Sequence, residues 1–294
     1  MKPKAKNIFF LGKGGVGKST VSVLNSLQLS RSGSKVLLVS LDPAHNLSDI
    51  FEKPISDRPV QINSGLFAKE VDREKWIARY LESVQGQIQK SYQYLTALNL
   101  EKYFGVFKNS LGIEEYALLL AYQDINQHRA NFNYVVYDMP PTALALKFFG
   151  LPWLSLKWIS SLVELRQTIL EKRQIISRIQ FGPKELEGDK ILRKLQKELL
   201  LYESIKSEFQ DPNVTEINLV LNTDKLSLNE SVLIQESLAE YELTLSRLIV
   251  NKWRDQDLKD IEVIFKNVPF QKFPTSDKEL VGLENILKYL DNYI

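Results

Sequence analysis

The chain has 294 residues, no cysteine, and 38 basic against 36 acidic side chains, which gives a net charge of +2. The lack of cysteine excludes disulfides, zinc–thiolate sites, iron–sulfur clusters and thiol nucleophiles. The near-neutral charge argues against nucleic-acid binding through a bulk positive field, and the sequence carries no strong nucleic-acid signal. Its apolar windows are too short or too charged for a signal peptide or a transmembrane segment, so we expect a soluble, cytoplasmic protein.

Short apolar runs alternate with helical patterns along most of the chain. A buried strand is predicted over 6–11, a glycine-rich run follows it, and a helix is predicted over 19–31. Further strands are predicted over 36–41, 66–71, 134–137, 217–221, 248–250 and 263–265. This alternation is typical of an α/β fold with a doubly wound, mainly parallel sheet.

Two long stretches do not fit the alternation. Residues from about 73 to 127 and from about 143 to 210 have helical patterns but are long for simple crossovers between strands. We therefore predict a single domain over 1–294, in which these two helical insertions form a subdomain at one edge of the sheet. Within the second insertion, an apolar stripe has the spacing of one helix face: Leu192, Leu195, Leu199 and Tyr202.

A phosphate-binding pattern follows the first predicted strand. Residues 12–19 read GKGGVGKS and match G-x-x-x-x-G-K-[ST] in the strand–loop–helix context that supports it. Glycines let backbone N–H groups converge on phosphate oxygens, and the following helix N-terminus adds the positive end of its dipole. Lys18 is expected to reach the β and γ phosphates, and Ser19 to ligate Mg²⁺. The predicted nucleotide-binding loop comprises Gly12, Gly14, Gly15, Val16, Gly17, Lys18, Ser19 and Thr20.

Acidic residues follow two other predicted strands. Asp42 comes after the second strand, and Asp138 after the strand over 134–137. Ligands of open α/β sheets bind at the carboxyl ends of strands, so Ser19, Asp42 and Asp138 are predicted to form the Mg²⁺ shell. Asp49 lies a short way on and could orient or deprotonate water. A single such aspartate can also serve as a helix N-cap, which is the common alternative.

The sequence favours adenine over guanine as the base. Guanine sites use N-K-x-D or T-K-x-D, whereas the run from Asn251 to Asp255 reads NKWRD and places the acid one residue late. We therefore expect ATP as the nucleotide.

Three segments resemble one protein family. GKGGVGKST at 12–20, DPAHNLSD at 42–49 and DMPPTALALK at 138–147 are similar to the ArsA-type ATPases. This family includes the ATPase that drives the arsenite pump and the factors that deliver tail-anchored membrane proteins. Further matching segments extend the resemblance to residue 283, so it covers nearly the whole chain.

The resemblance implies an Mg²⁺-dependent, ATP-driven homodimer, and it assigns roles to individual residues. Lys13 matches the lysine that reaches across the dimer to the partner's nucleotide, where a second cation would stabilise the transition state as an arginine finger does. Asp49 matches the aspartate that activates the attacking water, so Asp49, Lys13 and Lys18 are the predicted catalytic residues. Asn251 matches the adenine-binding asparagine and Pro269 the proline of the same pocket. A single-copy chain needs a second copy to form two nucleotide sites.

The sequence also departs from the family. It has no C-x-x-C pair for zinc and no thiols for arsenite, and it has two methionines where a client groove is often rich in them. A surface for a hydrophobic client helix would instead use other apolar residues, but packing in the core of the insertion is the commoner use of such residues. The candidates are Phe148, Phe149, Leu151, Trp153, Leu154, Trp158 and Ile159, together with 118–120.

We expect an ATPase that couples hydrolysis to the binding and release of hydrophobic, tail-anchored-like membrane-protein segments. One alternative is a positioning ATPase of the MinD/ParA type that acts on a membrane or DNA. It shares the phosphate loop and the trans lysine, whereas DPAHNLSD and the long insertions favour the ArsA type. Another alternative is an ATPase subunit that energises an anion transporter.

Overall fold

The structure is a computed structural model and describes residues 5–44, 46–91, 112–181 and 189–293. Its described strands are β1 (Lys6–Leu11), β2 (Val36–Ser40), β3 (Val60–Gln61), β4 (Leu66–Glu70), β5 (Tyr134–Asp138), β6 (Thr215–Leu221), β7 (Arg247–Trp253) and β8 (Phe270–Pro274). They form one sheet in the order β3-β4-β2-β5-β1-β6-β7-β8, in which β3 is antiparallel to β4 and the other pairs are parallel. The predicted α/β class with a mainly parallel sheet is confirmed.

The helices follow the strands in the alternation that the sequence predicted. Those in the described ranges are α1 (Lys18–Arg31), α2 (Asn46–Phe51), α3 (Arg73–Ser91), α4 (Ile113–His128), α5 (Thr142–Phe181), α6 (Lys190–Gln210), α7 (Lys225–Glu240), α8 (Lys259–Ile264) and α9 (Leu283–Tyr293). A 3₁₀ turn at Arg129–Asn131 precedes β5. No helix in these ranges combines the length and apolarity needed to cross a membrane.

The central strands are buried on both faces because helices cover both sides of the sheet. Every residue of β2 is buried, and Phe9 of β1 stacks on Tyr137 of β5 with ring centroids 4.6 Å apart. On the other face, Val21 and Leu24 of α1 belong to a core cluster with Leu38 of β2. Strands of a parallel sheet that are covered on both faces carry apolar side chains on both faces. A short continuous apolar run in the sequence therefore predicts such a strand.

The edge strand after β7 lies at a different place in the sequence from the prediction. The proposed strand over 263–265 is wrong, because 263–264 end α8 and the strand lies further on, at β8. A run of three apolar residues has no measurable period, so it cannot distinguish a strand from the end of a helix. β8 was missed because it is half-exposed and ends in Pro274, a pattern that only an edge strand tolerates.

The chain divides into two compact units. The first comprises Met1–Phe148 and Pro212–Ile294, and its described residues contain the whole sheet. The second comprises Phe149–Asp211, which falls almost entirely within the insertion predicted over 143–210. Of the insertion predicted over 73–127, helices α3 and α4 belong to the first unit, and residues 92–111 lie outside the described residues.

Within the second unit, polar and aromatic contacts join α5 to α6. The Phe149 and Phe209 rings meet edge to face with centroids 5.1 Å apart. Asp189 accepts from the backbone N–H of Leu192 as the N-cap of α6, and it forms two hydrogen bonds with Arg166, at 2.7 and 3.1 Å. These contacts with Arg166 and Leu192 lower the pKa of Asp189 to about 2. The carboxylate therefore stays charged at neutral pH and fixes where α6 begins.

Candidate functional site

The phosphate loop, residues 12–20, leaves the carboxyl end of β1 and leads into α1. A side chain at Gly12 would overlap the carbonyl oxygen of Val220 on β6, and one at Gly17 would overlap the amide nitrogen of Asn251. Gly17 also has a φ of 93°, in the left-handed region that glycine adopts most easily. The sequence pattern therefore reflects two steric limits on the path of the loop.

The positive end of α1 is open toward this loop. Gly17 is the N-cap residue and makes no side-chain hydrogen bond, so the first N–H groups of the helix are available to phosphate oxygens. The Lys18 ammonium lies beneath the loop and donates to the carbonyl oxygen of Lys13 at 3.3 Å. Burial lowers the pKa of Lys18, while the charges of Asp138, Asp42 and Glu230 oppose that shift. Lys18 is thus a buried cation held at the place where phosphates would bind.

The three strand ends that carry predicted site residues are adjacent in the sheet. β5 lies between β1 and β2, and Asp138 pairs with Phe10 on one side and Ser40 on the other. Asp42 follows β2, and its carboxylate accepts from the backbone N–H of Ala44 at 3.0 Å. The structure therefore brings the phosphate loop, Asp42 and Asp138 together at the carboxyl ends of these three strands.

These residues fit a Mg²⁺ ion that binds together with a nucleotide. Asp138 is fully buried, and neither carboxylate oxygen has a hydrogen-bond partner of acceptable geometry among the described residues. Burial raises the pKa of Asp138 to about 7, against the effects of the Ser19 hydroxyl and the Lys18 charge. Among the described residues, no group of three or more acidic, histidine or cysteine side chains could hold a metal ion. Mg²⁺ typically uses few protein ligands besides phosphate and water, so Ser19 with Asp138 and Asp42 nearby is a suitable donor set for an ion that neutralises phosphate charge.

The buried carboxylate of Asp138 predicts a pH dependence of stability. In the native state the Asp138 carboxyl keeps its proton up to about pH 7, whereas in the unfolded chain it loses the proton near the ordinary pKa of 3.8. The native state thus binds more protons across this window, so rising pH destabilises it. Relative to Asp138→Asn, we expect the free energy of unfolding of the natural protein to fall by about 2 to 3 kcal/mol between pH 5 and pH 8.

Urea melts without nucleotide and Mg²⁺ at several pH values test this expectation. Asp57→Asn is the control: burial opposes the shift, but hydrogen bonds from Lys75 and Trp76 and the Lys69 charge lower the pKa of Asp57. The stability that Asp57 contributes is lost only as pH falls through its low pKa. The difference in the free energy of unfolding between Asp57→Asn and the natural protein should therefore stay constant from pH 5 to 8. If the difference in the free energy of unfolding between Asp138→Asn and the natural protein also stayed constant over this range, the prediction would be contradicted.

Asp49 lies on α2, a six-residue helix that contacts the predicted Mg²⁺ ligand Ser19. Its side chain is exposed, and the helix begins at Asn46, whose amide nitrogen contacts the Ser19 hydroxyl oxygen at 3.3 Å. His45, the neighbouring residue of the DPAHNLSD segment, lies outside the described residues. The structure therefore connects the element that carries Asp49 to the predicted Mg²⁺ ligand Ser19, and leaves Asp49 open for contact with water.

Lys13 lies in the phosphate loop, and a second lysine contacts the loop from β7. Lys13 is half-buried, while Gly14 and Gly15 beside it are exposed. Lys252, at the end of β7, donates to the Gly15 carbonyl oxygen at 3.3 Å and has a φ of 54°. Sequence reasoning missed Lys252 because this contact joins residues 237 positions apart and no motif marks it.

A cavity of about 250 Å³ lies beside the loop and could receive a base. Gly17 and Asn251 line it, together with Pro274 and Thr275. The Asn251 amide N–H donates to the Val16 carbonyl oxygen at 2.7 Å, which turns its oxygen toward other donors such as the amino group of adenine. Thr275 adds a buried hydroxyl that has no hydrogen-bond partner among the described residues.

The structure does not bring Pro269 to this cavity. Pro269 lies just before β8, where its carbonyl oxygen accepts from Leu248 near the start of β7, whereas Asn251 lies further along β7. Pro274, at the other end of β8, is the proline that lines the cavity. The sequence analysis assigned Pro269 to this pocket from the resemblance alone and gave Pro274 no role.

Glu230 is a further site residue without a predicted role. It lies on α7 and accepts a 2.6 Å hydrogen bond from the hydroxyl of Thr142, the first residue of α5. The same hydroxyl is 3.4 Å from the Gly12 carbonyl oxygen, and the charge of Glu230 acts on Lys18. The start of α5 is therefore linked by side-chain contacts to the phosphate loop.

The predicted client surface divides into core and exposed residues. Leu154 and Trp158 are 55% and 65% exposed. Most of the other candidates are core residues: Phe148, Phe149, Leu151, Ile159, Leu118 and Leu119. Helical periodicity alone cannot tell these two faces apart, because both carry large apolar side chains.

Comparisons with known proteins find one family across nearly the whole chain. The family described as anion-transporting ATPase matches residues 5–293. A putative arsenical pump-driving ATPase 1 of Aquifex aeolicus is 30% identical, over 96% of this chain and 76% of that protein. The ATPase ASNA1 homolog of Cryptosporidium parvum is 29% identical over 96% of this chain and 73% of its own, and ATPase GET3A of Arabidopsis thaliana is 27% identical over 98% and 84%. The chain therefore belongs to the anion-transporting, ArsA-type ATPase family and is an ATP hydrolase.

Proposed function

We propose that this ATPase works as a homodimer that binds and releases hydrophobic segments of membrane proteins, such as tail anchors, as it hydrolyses Mg-ATP. The observation that carries the client-binding part is a row of exposed apolar side chains on α5. We call this row the apolar stripe; it consists of Leu154, Trp158, Leu162, Leu165 and Ile169.

The apolar stripe has the geometry of a binding surface. Its members are three or four residues apart, so they lie along one face of the helix, and each is between 38% and 65% exposed. Large apolar side chains in one continuous exposed row are unusual on a monomeric protein and indicate a partner. A hydrophobic helix fits, because it would bury its own apolar surface against such a row.

The nucleotide site supplies the switch in this proposal. Lys18, Ser19 and the open end of α1 hold the phosphates and Mg²⁺, and Asn251 receives the base. Asp49 positions the attacking water, and Lys13 stabilises charge on the partner's nucleotide. The exposure of Gly14 and Gly15 beside Lys13 supports the dimer, since a second chain can approach the loop there.

An ATPase subunit that energises an anion transporter is the second candidate. The family description and the name of the Aquifex aeolicus relative favour it. Thiol-based arsenite binding is excluded because the chain has no cysteine. The two functions differ in one observable: only the first requires ATP-dependent capture of a hydrophobic peptide through the apolar stripe.

A peptide-capture experiment tests the leading proposal. Asp49→Asn protein is incubated with a photo-crosslinkable transmembrane-segment peptide, with and without Mg-ATP, and the size of the complex is measured by light scattering. We expect ATP-dependent capture by a dimer. Combining Leu154→Ser with Trp158→Ser should reduce capture at least about tenfold, because two large apolar contacts of about 1.5 to 3 kcal/mol each are lost.

The matched control changes two exposed leucines outside the second unit. Leu226 and Leu233 of α7 are 69% and 60% exposed, so Leu226→Ser with Leu233→Ser removes similar apolar surface elsewhere. This control should keep capture within about twofold. ATP-dependent dimerisation without capture would reject the client-binding role and favour the transporter candidate.

A further inference from the structure

Two consecutive side chains at the end of β7 hold two consecutive carbonyl groups of the phosphate loop. The Asn251 amide donates to the Val16 carbonyl oxygen at 2.7 Å, and the Lys252 ammonium donates to the Gly15 carbonyl oxygen at 3.3 Å. The end of β7 is therefore attached to the loop at two adjacent peptide groups.

A regular strand could not make both contacts. Successive side chains of a strand point to opposite faces, and Asn251 shares its face with Ile249, which packs in the core cluster with α1. Regular geometry would therefore point Lys252 away from the loop. Instead, the pairing of β7 with β8 shifts register between Val250 and Trp253, and Lys252 has a φ of 54°. This irregularity turns Lys252 to the same side as Asn251.

The left-handed backbone at Lys252 is unfavourable for a residue that carries a side chain. Glycine, and to a lesser degree asparagine and aspartate, adopt this region more readily than lysine. Strained backbone and bulges that re-aim a side chain are common at functional sites, where the surrounding contacts hold them in place. The lysine at this position therefore requires a reason beyond backbone geometry, and its contact with Gly15 supplies one.

The two contacts determine where the N–H groups of the loop point. A peptide group is planar and trans, so its C=O and its N–H point in opposite directions. With the Gly15 carbonyl held by β7, the Val16 N–H points inward, and its nitrogen lies 3.5 Å from the Lys13 carbonyl oxygen. The Lys18 ammonium donates to the same oxygen at 3.3 Å, so this is the side where phosphates would bind. Holding the Val16 carbonyl likewise directs the Gly17 N–H away from β7.

We propose that Lys252 is a positioning residue for nucleotide binding, which acts through the Gly15 carbonyl to hold the phosphate-binding N–H groups in place. This inference rests on the proposed phosphate site in the loop over 12–20. A glycine-rich loop has many accessible conformations, so fixing one of them before the nucleotide arrives lowers the entropy cost of binding. A charged donor such as Lys252 makes a stronger hydrogen bond to the carbonyl than a neutral donor would.

Lys252→Met removes the ammonium and keeps most of the side chain. We expect the affinities for Mg-ATP and Mg-ADP each to fall about fivefold, the effect of one lost hydrogen bond, while the affinity for adenosine, measured by NMR titration, stays within about twofold. At saturating Mg-ATP, kcat should stay within about twofold, because ground state and transition state lose the same binding energy. An equal loss for adenosine would make Lys252 a base-contacting residue and overturn the positioning role.

Lys252→Gly separates the side chain from the backbone. Glycine adopts a φ of 54° without strain, so the melting temperature without nucleotide should stay within about 4 °C of the natural protein. The affinity for Mg-ATP should nevertheless fall as in Lys252→Met. If Lys252→Gly bound Mg-ATP as tightly as the natural protein, the side chain would have no positioning role.

Lys272→Met is the matched control. Lys272 is an exposed lysine of the neighbouring strand β8, and its ammonium lies 4.5 Å from the centroid of the Trp253 ring. The substitution removes the same charge from the same end of the sheet. It should change the affinity for neither Mg-ATP nor Mg-ADP beyond about twofold.

Amide NMR spectra of the nucleotide-free protein test the orientation of the loop directly. The signals of the Val16 and Gly17 amides should shift or broaden in Lys252→Met and stay unchanged in Lys272→Met. Unchanged signals in Lys252→Met would overturn the inference even if its affinity for Mg-ATP fell, because direct contact between the ammonium and a phosphate would then explain the loss.

Lys18→Ala tests the phosphate site on which the inference rests. Full affinity of Lys18→Ala for Mg-ATP would refute that site and the positioning role together. Lost affinity in Lys18→Ala beside unchanged affinity in Lys252→Met would leave the phosphate site in place and refute the positioning role alone.

Discussion

Asp49→Asn should lower kcat by about 100- to 10,000-fold and leave the affinity for Mg-ATP within about twofold, the range expected for loss of a general base. The substitution keeps the size of the side chain and removes the negative charge with which we propose that Asp49 orients or deprotonates water. Asp49 is exposed, and α2 is anchored through Ser48 and Ile50, so the fold should not change. Nucleotide binding should persist because the proposed phosphate-binding groups lie in the loop over 12–20 and the start of α1, outside α2.

Steady-state phosphate release and fluorescent-nucleotide displacement separate these two effects. Asp291→Asn is the control, since Asp291 is an exposed carboxylate of α9 that pairs with Arg31 at 2.7 Å, at a distance in the fold from the phosphate loop. It should change neither quantity beyond about twofold. An Asp49→Asn protein with normal turnover would remove Asp49 from the mechanism and leave water activation to another group.

The candidate phosphate site could be predicted from the sequence because its residues are close together in the chain. The loop, its lysine and its serine lie within nine consecutive residues, and the topology of a parallel sheet brings Asp42 and Asp138 beside them. The buried strands could also be predicted from the sequence, since a short apolar run between two helical patterns is typical of a strand covered on both faces.

The hydrogen bonds that support the candidate site could not be predicted from the sequence, because each joins residues far apart in the chain. Glu70 and Ser48 are 22 positions apart, Thr142 and Glu230 are 88 apart, and Lys252 reaches the loop over 237 positions. No spacing rule predicts such pairs. They form only after the order of the strands has been set by burial of the whole sheet.

Lys13→Ala should lower kcat about 1,000-fold, similar to the loss of a cation that stabilises phosphoryl transfer from a partner. The size of the loss does not reveal whether Lys13 acts on its own nucleotide or on that of a second chain. A mixing experiment distinguishes the two. Lys13→Ala protein keeps Asp49, and Asp49→Asn protein keeps Lys13, so a mixed dimer has one complete site only if Lys13 acts in trans.

A 1:1 mixture of these two inactive variants should recover about a quarter of the natural activity, because half of the dimers are mixed and each has one of two sites intact. The control mixes Asp49→Asn with Lys18→Ala. Lys18 is buried beneath its own phosphate loop, so both defects act within their own site and no activity should return. Absence of recovery in the first mixture, under conditions where light scattering finds dimers, would place Lys13 in its own site and remove the main chemical argument for an obligate homodimer.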